Sequence, residues 1–63
     1  MDRSDFEVVV DFTKVETAER AFDQWLAARG RARDEFAPDD VLVDTGRGSD
    51  GDIRRYSIRR SAL

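Results

Sequence analysis

The clearest structural signal in the sequence is the run Phe6-Glu7-Val8-Val9-Val10-Asp11-Phe12. Its even-numbered residues are all apolar, whereas Glu7 and Asp11 occupy odd positions. Apolar residues that alternate with a period of two, and that are β-branched or aromatic, are typical of a strand with one buried face. The pattern therefore predicts a half-buried β-strand over residues 6–12.

A helix is predicted next by an apolar stripe with a period close to 3.6 residues. The stripe consists of Ala18, Ala21, Phe22, Trp25, Leu26 and Ala28. Thr17 can accept backbone N–H groups as the N-cap, and Glu19 in the first turn suits the positive end of the helix dipole. Gly30 can take the left-handed conformation that ends many helices. We therefore expect a three-turn helix over residues 18–29.

The rest of the chain reads as a loop followed by a β-hairpin. Residues 31–40 are charged and contain the only proline, and they are predicted to form a connection from which Phe36 folds back onto the core. Residues 41–45, Val-Leu-Val-Asp-Thr, are typical of a short strand. Residues 46–52 consist of turn-forming types. Residues 53–60 are predicted to form the third strand.

The third strand has one competing interpretation. Its alternate positions divide into an apolar face with Tyr56 and Ile58 and a polar face with Arg55, Ser57 and Arg59. Ile53 breaks this parity, which indicates a bulge or the edge of the loop. A C-terminal helix over the same residues is the alternative, and the isoleucine spacing and the preceding turn favour the strand.

The order strand, helix, strand, strand predicts a single α+β domain over residues 1–63. We expect a two-layer β-α-β-β sandwich, in which a three-stranded sheet has strands 1 and 3 adjacent and the helix packs on one face. Residues 1–4 and 61–63 are expected to be frayed. The predicted core comprises Phe6, Val8, Val10, Phe12, Ala21, Phe22, Trp25, Leu26, Val41, Val43, Tyr56 and Ile58.

The positive charge of the chain is concentrated in residues 53–63, which we call the basic segment. Residues 1–52 hold all 14 acidic residues and seven of the 11 basic ones, whereas the basic segment holds four arginines and no acid. If strands 1 and 3 are neighbours, acidic side chains of the first strand can meet these arginines, and each such pair contributes roughly 0.2–1 kcal/mol. We therefore expect Glu7 and Asp11 to pair with Arg55 and Arg59.

The same arginines form the candidate binding surface. The arginines around Tyr56 could bind phosphates, and the Tyr56 ring could stack on a base. Nucleic-acid binding is therefore the alternative function. The net charge of −3 argues against it, because nucleic-acid affinity relies on surplus positive charge. A protein partner with complementary charge fits better. The candidate partner-binding residues are Arg54, Arg55, Tyr56, Arg59 and Arg60 on one side and Asp34, Glu35, Asp39 and Asp40 on the other.

Catalytic and metal-binding chemistry finds little support in the sequence. The chain has no His and no Cys, so it lacks the usual base for a nucleophile and the usual zinc ligands. Residues 46–51 match G-x-G-x-x-G, but too little chain follows for the dinucleotide-binding helix, and the aspartates there lack EF-hand spacing. Residues 41–46 resemble the aspartic-protease signature, and a homodimer could supply the second carboxylate, but the chain is short for such a subunit and offers no flap hairpin or second buried strand pair. We predict no enzymatic activity, no metal and no cofactor.

These features predict a non-enzymatic protein-interaction module. No secretory or membrane-spanning segment is evident in the sequence, so a cytoplasmic location and no membrane partner are expected. Ten arginines against one lysine is typical of a GC-rich bacterial or phage genome, and a small phage or accessory protein that modulates a larger host protein is the working hypothesis. A homodimer is also considered, through a sheet edge or through the open sheet face, where Val9 and Ile53 are expected.

Overall fold

The structure, a computed structural model, describes residues 3–63. Its strands are β1 (Phe6–Lys14), β2 (Val41–Gly48) and β3 (Gly51–Arg59), and its helix α1 spans Val15–Ala27. Short 3-10 turns occupy Arg3–Asp5, Arg33–Glu35, Pro38–Asp40 and Arg60–Ala62.

The last strand along the chain is the central strand of the sheet. The strand order is β1-β3-β2, and β3 pairs antiparallel with both neighbours. β1 and β2 therefore run parallel to each other at the two edges, and α1 connects them across one face. The predicted α+β fold, with strands 1 and 3 adjacent and one helix on one face, is confirmed.

Helix α1 begins earlier than the sequence pattern predicted. β1 continues through Lys14 and the chain enters the helix at Val15 without a loop. Lys14 therefore occupies the N-cap position, and no side chain caps the helix. The prediction of Thr17 as the N-cap was wrong, because the helix starts where the strand ends and Thr17 lies within its first turn.

The end of the helix follows the glycine signal. Gly30 has a φ of +68°, in the left-handed region. Its N–H donates to the carbonyl of Ala27 at 3.0 Å, and the N–H of Arg31 donates to the carbonyl of Leu26 at 3.0 Å. This pair of bonds is a Schellman motif, which satisfies carbonyl groups at the helix C-terminus. The predicted role of Gly30 is confirmed, although regular helix ends at Ala27.

The core lies between α1 and the sheet. It consists of Val10, Ala18, Phe22, Leu26, Tyr56 and Ile58, with Ala21, Trp25, Phe36 and Val41 packed against it. These positions confirm most of the predicted core, including the return of Phe36 from the loop. Val43 was predicted to be buried, yet it is 44% exposed. The reason is that α1 packs over β1 and β3 rather than over the edge strand β2.

The regular alternation predicted for β1 is broken by two irregularities. The register with β3 shifts between Val8 and Val10 and again between Val10 and Thr13. At each shift β1 contains one residue more than β3. Because side chains alternate with a period of two, an extra residue moves the following side chains to the opposite face. Whether a residue of β1 has an odd or an even number therefore does not predict the face of the sheet on which its side chain lies.

Only one of the four even-numbered apolar residues of β1 joins the helix-facing core. Val10 lies opposite Tyr56 and belongs to the core cluster. Val8 lies opposite Ser57 and Phe6 lies opposite Arg59, so both point away from the helix, because residues opposite each other on antiparallel strands share a face. Phe6 is buried as predicted, although on the face away from the helix, whereas Val8 was predicted to be buried and is 49% exposed.

The C-terminal half of β1 contains two further corrections. Phe12 was predicted to be buried, but it lies on the face away from the helix and is 40% exposed. Its ring and the side chain of Ile53 both flank Gly46, which places Ile53 on that same uncovered side as expected. Val9 was expected there as well, yet it packs against the helix-side core. Phe12, rather than Val9, therefore accompanies Ile53 on the open side.

β2 and β3 form a tight hairpin. Gly48 pairs with Gly51, so the turn contains only residues 49–50, and both strands are longer than predicted. Gly51 has a φ of +125°, which favours glycine. The eight residue pairs are continuous, and the irregularity predicted at Ile53 is absent from this pairing. The strand interpretation of residues 53–60 is confirmed against the helical alternative.

Residues 1–4 and 61–63, at the two ends of the chain, were expected to be frayed. Residues 1 and 2 lie outside the described residues. At the other end, the turn Arg60–Ala62 closes with a hydrogen bond from the N–H of Leu63 to the carbonyl of Arg60, and Ala62 packs against the core. The fraying and the single-domain organisation stay predictions.

Candidate functional site: the open face of the sheet

The face of the sheet that points away from α1, which we call the open face, carries both apolar and charged side chains. It consists of Phe6, Val8 and Phe12 from β1, Leu42 and Asp44 from β2, and Ile53, Arg55, Ser57 and Arg59 from β3. Val8 is 49% exposed on the edge strand β1, whereas Ser57 opposite it on the central strand is buried. Arg55 and Arg59 each contact an aromatic ring and a carboxylate on this face.

Arg55 is fixed by an aromatic ring and a carboxylate. Its Nη2 lies 3.1 Å from Oδ2 of Asp44, and its Nε donates to the same oxygen at 3.3 Å. Its guanidinium carbon lies 4.7 Å from the centroid of the Phe12 ring. Arg3 Nη2 reaches Oδ1 of Asp44 at 2.6 Å. The carboxylate is thus held between two guanidinium groups.

These two guanidinium groups hold the pKa of Asp44 below its ordinary value. The hydrogen bond from Arg3 is the largest cause, and the hydrogen bond and charge of Arg55 act in the same direction. Partial burial of the carboxyl group opposes them by raising the pKa. The net result is a carboxylate that stays ionised on a largely apolar face.

Arg59 repeats the arrangement at the other end of the open face. Its Nε donates to Oδ1 of Asp40 at 2.9 Å, and its Nη2 donates to the carbonyl oxygen of Asp39 at 3.1 Å. Its guanidinium carbon lies 4.8 Å from the centroid of the Phe6 ring. A guanidinium that is already stacked and hydrogen-bonded has little freedom left to lose when a partner binds.

The carboxylates that pair with the stacked arginines are not the predicted ones. Glu7 and Asp11 of β1 were expected, but the partners come from β2 and from the turn before it. The bulges of β1 are the cause: Glu7 lies opposite Ile58, whose side chain faces the helix, and Asp11 accepts the N–H of Phe12 at 2.7 Å. The prediction of cross-strand pairs between β1 and β3 was therefore wrong, although the strands are adjacent.

Arg54 and Tyr56 lie on the helix side of the sheet. Arg54 Nη1 donates to Oε1 of Glu19 at 2.8 Å and to the hydroxyl of Tyr56 at 3.2 Å. The bond to Tyr56 is the main cause that raises the pKa of Arg54, with Glu19 adding to it. The Tyr56 ring is buried and stacked on Phe22. It is therefore not accessible for stacking on a base.

Arg60 is the most accessible arginine of the basic segment. Its Nε lies 4.0 Å from Oε1 of Glu7, and its Nη1 donates to the backbone carbonyl of Ser4. Its side chain is 58% exposed. Arg60 therefore lies at the rim of the structure, and it contributes charge rather than apolar contact.

The acidic candidates are distributed over the loop between α1 and β2. Asp34 is exposed, and Glu35 pairs with Arg31 at 2.8 Å. Asp39 and Asp40 lie beside Arg59. The structure therefore brings two of the four acidic candidates together with a basic one. It does not form separate acidic and basic surfaces.

Two charged residues of this site were absent from the sequence-based candidates. Asp44 could have been found, because a two-residue turn at residues 49–50 places it opposite Arg55. Arg3 carried no comparable signal, since it lies 41 positions from Asp44 along the chain. Their contact depends on how the whole sheet is assembled.

The described part of the chain offers no metal site: among residues 3–63, no cluster of three or more His, Cys, Asp or Glu side chains could hold an ion. No helix within the same residues is long and apolar enough to cross a membrane. Comparison with known proteins adds no functional information, because no family model, no curated protein and no solved structure matches the chain.

Proposed function

We propose that this chain is a non-enzymatic protein-interaction module that binds another protein through its open face. The observation that carries the proposal is the exposure of Val8 and Phe12 on a sheet face bounded by two fixed arginines. Exposed apolar side chains that form a group with a polar rim are typical of protein contact sites. Single scattered apolar residues would not support it.

The composition of the open face suits a protein partner. Aromatic residues and arginine are enriched at protein interfaces and often supply most of the binding energy. Phe12 with Arg55 provides such a group at the surface, and the buried ring of Phe6 orders Arg59 by stacking. Because the order is present before binding, a partner would lose less entropy on contact.

Charge on the open face is largely balanced within the chain. Arg55 pairs with Asp44, and Arg59 pairs with Asp40. Apolar contact around Val8 is therefore expected to provide most of the affinity. The exposed charges at the rim would fix orientation and speed the encounter.

Nucleic-acid binding through β3, the alternative function, has less support from the geometry. It needs free guanidinium groups and a stacking ring. Arg54, Arg55 and Arg59 each donate to an acidic residue of the same chain, and Tyr56 is buried. A role as a small phage or accessory protein in the cytoplasm belongs to the proposal as well, and its support is the arginine-rich composition.

Affinity capture with matched variants tests the proposed function. The wild-type chain, Val8→Asp and Ala27→Asp would each be immobilised and exposed to lysate of the source organism. Ala27 is an exposed residue of α1, so its variant adds the same charge away from the open face. We expect one protein that is retained in equimolar amount by the wild type and by Ala27→Asp but not by Val8→Asp. Capture of no protein, or equal capture by all three baits, would refute the proposal.

A further inference from the structure

The two edges of the sheet differ in how well they could pair with another strand. The β1 edge is interrupted by register shifts on either side of Val10. The N–H of Phe12 is also occupied by the carboxylate of Asp11, at 2.7 Å. Bulges and charged side chains of this kind protect natural edge strands from pairing with other chains.

The β2 edge has no such interruption. All eight residues from Val41 to Gly48 pair with β3 in a continuous register. Within residues 3–63, no strand pairs with the other side of β2. Val43 is exposed there because the helix does not extend over this strand. A long, regular edge with an exposed apolar residue is a template for an additional strand.

We propose that β2 pairs antiparallel with β2 of a second copy of this chain, around a twofold axis that passes through Val43. Such an axis stands perpendicular to the sheet, so both helices lie on the same face of a continuous six-stranded sheet. The interface is on the sheet edge and leaves both open faces accessible. This inference is therefore independent of the proposed function.

The charge pattern around β2 favours this register over the two neighbouring ones. With the axis at Val43, residues 41–45 of the two copies pair, so that Val41 lies opposite Thr45. Asp39, in the turn before β2, is then on the side of Arg47 of the second copy. Moving the axis to Leu42 would place Asp40 opposite Asp44 of the other copy. Moving it to Asp44 would place that carboxylate opposite itself. Like charges directly opposite each other are destabilising, whereas opposite charges stabilise a strand pair.

Apolar surface beside the axis would be buried by the same pairing. A cleft of about 410 Å³ lies on the helix side of β2, and Phe36, Pro38, Val41 and Val43 contribute to its walls. Because both helices lie on the same face, the clefts of the two copies would adjoin across the axis. Chains of this length without disulfides or metals often rely on association for additional stability.

Cysteine crosslinking tests the position of the axis. The chain contains no cysteine, so a single Val43→Cys substitution introduces the only thiol. Side chains directly opposite each other on antiparallel strands have Cβ atoms about 4.5–5.5 Å apart, within reach of a disulfide after small adjustment. We expect Val43→Cys to form a disulfide dimer under mild oxidation much faster than Val8→Cys, a valine equally exposed on the open face. Equal rates would overturn the proposal.

Sedimentation of variants with verified circular dichroism spectra gives a second measurement. At millimolar concentration we expect the wild type and Val8→Arg to sediment at twice the 7.2 kDa chain mass and Val43→Arg to sediment as a monomer. Arg47→Asp should weaken the dimer, and adding Asp39→Arg should restore it. A monomeric wild type, or a dimer that Val8→Arg dissociates and Val43→Arg does not, would overturn the proposal.

Discussion

The ring of Phe22 lies flat on the ring of Tyr56, with centroids 4.3 Å apart and planes inclined by 4°. Phe22 belongs to the helix and Tyr56 to the central strand, so this contact joins the two layers of the fold. Both rings are buried, with Phe22 fully removed from solvent. Stacked aromatic pairs contribute about 0.5–1.5 kcal/mol beyond the burial of their surface.

Phe22→Ala is expected to unfold the protein. Removing a fully buried phenylalanine costs about 3–5 kcal/mol, which is comparable to the whole stability of a small domain. Phe12→Ala makes the same change at a partly exposed ring and should cost only about 1–2 kcal/mol. Thermal unfolding followed by far-UV circular dichroism would compare them. A cooperative transition in Phe22→Ala at the wild-type temperature would contradict the assigned core.

The elements that depend on local sequence patterns could be predicted. The face of the sheet on which each side chain of β1 lies could not. The spacing of Phe22 and Leu26 identifies the helix stripe, because helical periodicity is a property of neighbouring residues. The bulges around Val10 arise from the fit of β1 to β3, which are separated by most of the chain. The arginines of the basic segment can be read directly from the sequence. Their carboxylate partners depend on the same long-range fit of the strands, and for that reason they were predicted wrongly.

Arg3→Ala should raise the pKa of Asp44 toward its ordinary value of about 3.9. The hydrogen bond from Arg3 is the main cause of the depressed pKa, so removing it should have a larger effect than Arg55→Ala. NMR titration of the Asp44 carboxyl carbon would measure both. Arg47→Ala is the control. Because Arg47 lies near Asp52 rather than Asp44, its removal should leave the titration of Asp44 unchanged.

The depressed pKa of Asp44 also predicts how stability depends on pH. The folded carboxylate stays ionised at a pH where the unfolded one is protonated, so its contribution is complete above about pH 4 and is lost as the pH falls through the folded pKa. Asp44→Asn should therefore lower the free energy of unfolding at pH 7, by about 1 kcal/mol or less. The difference from wild type should shrink in acid. A difference that grows below pH 4 in urea unfolding would be inconsistent with this assignment.

Gly30→Ala and Gly51→Ala should both destabilise the fold through the backbone. The two glycines have φ values of +68° and +125°, and a Cβ added at either would meet no atom within 4 Å. A side chain at positive φ costs about 1–2 kcal/mol, which lowers the melting temperature of a domain this small by roughly 4–16 °C. Gly46→Ala is the control, since Gly46 has no positive φ and its Cβ would make ordinary contacts.

Weak or absent binding to single-stranded DNA and RNA is expected at physiological salt. The arginines of β3 already donate to Glu19, Asp44 and Asp40, so binding phosphates would require breaking those pairs. Fluorescence anisotropy with labelled oligonucleotides over a series of salt concentrations would measure it. Tight binding that falls steeply with salt and disappears in the Arg55→Ala, Arg59→Ala double variant would instead establish the nucleic-acid function.

Because the middle strand is encoded after both of its neighbours, the sheet cannot start to assemble from the N-terminus during synthesis. A ribosome that has translated only as far as Gly48 has produced two hydrophobic β-segments and no strand to pair with either. The native pairing of both segments therefore begins only after residues 51–59 have been translated.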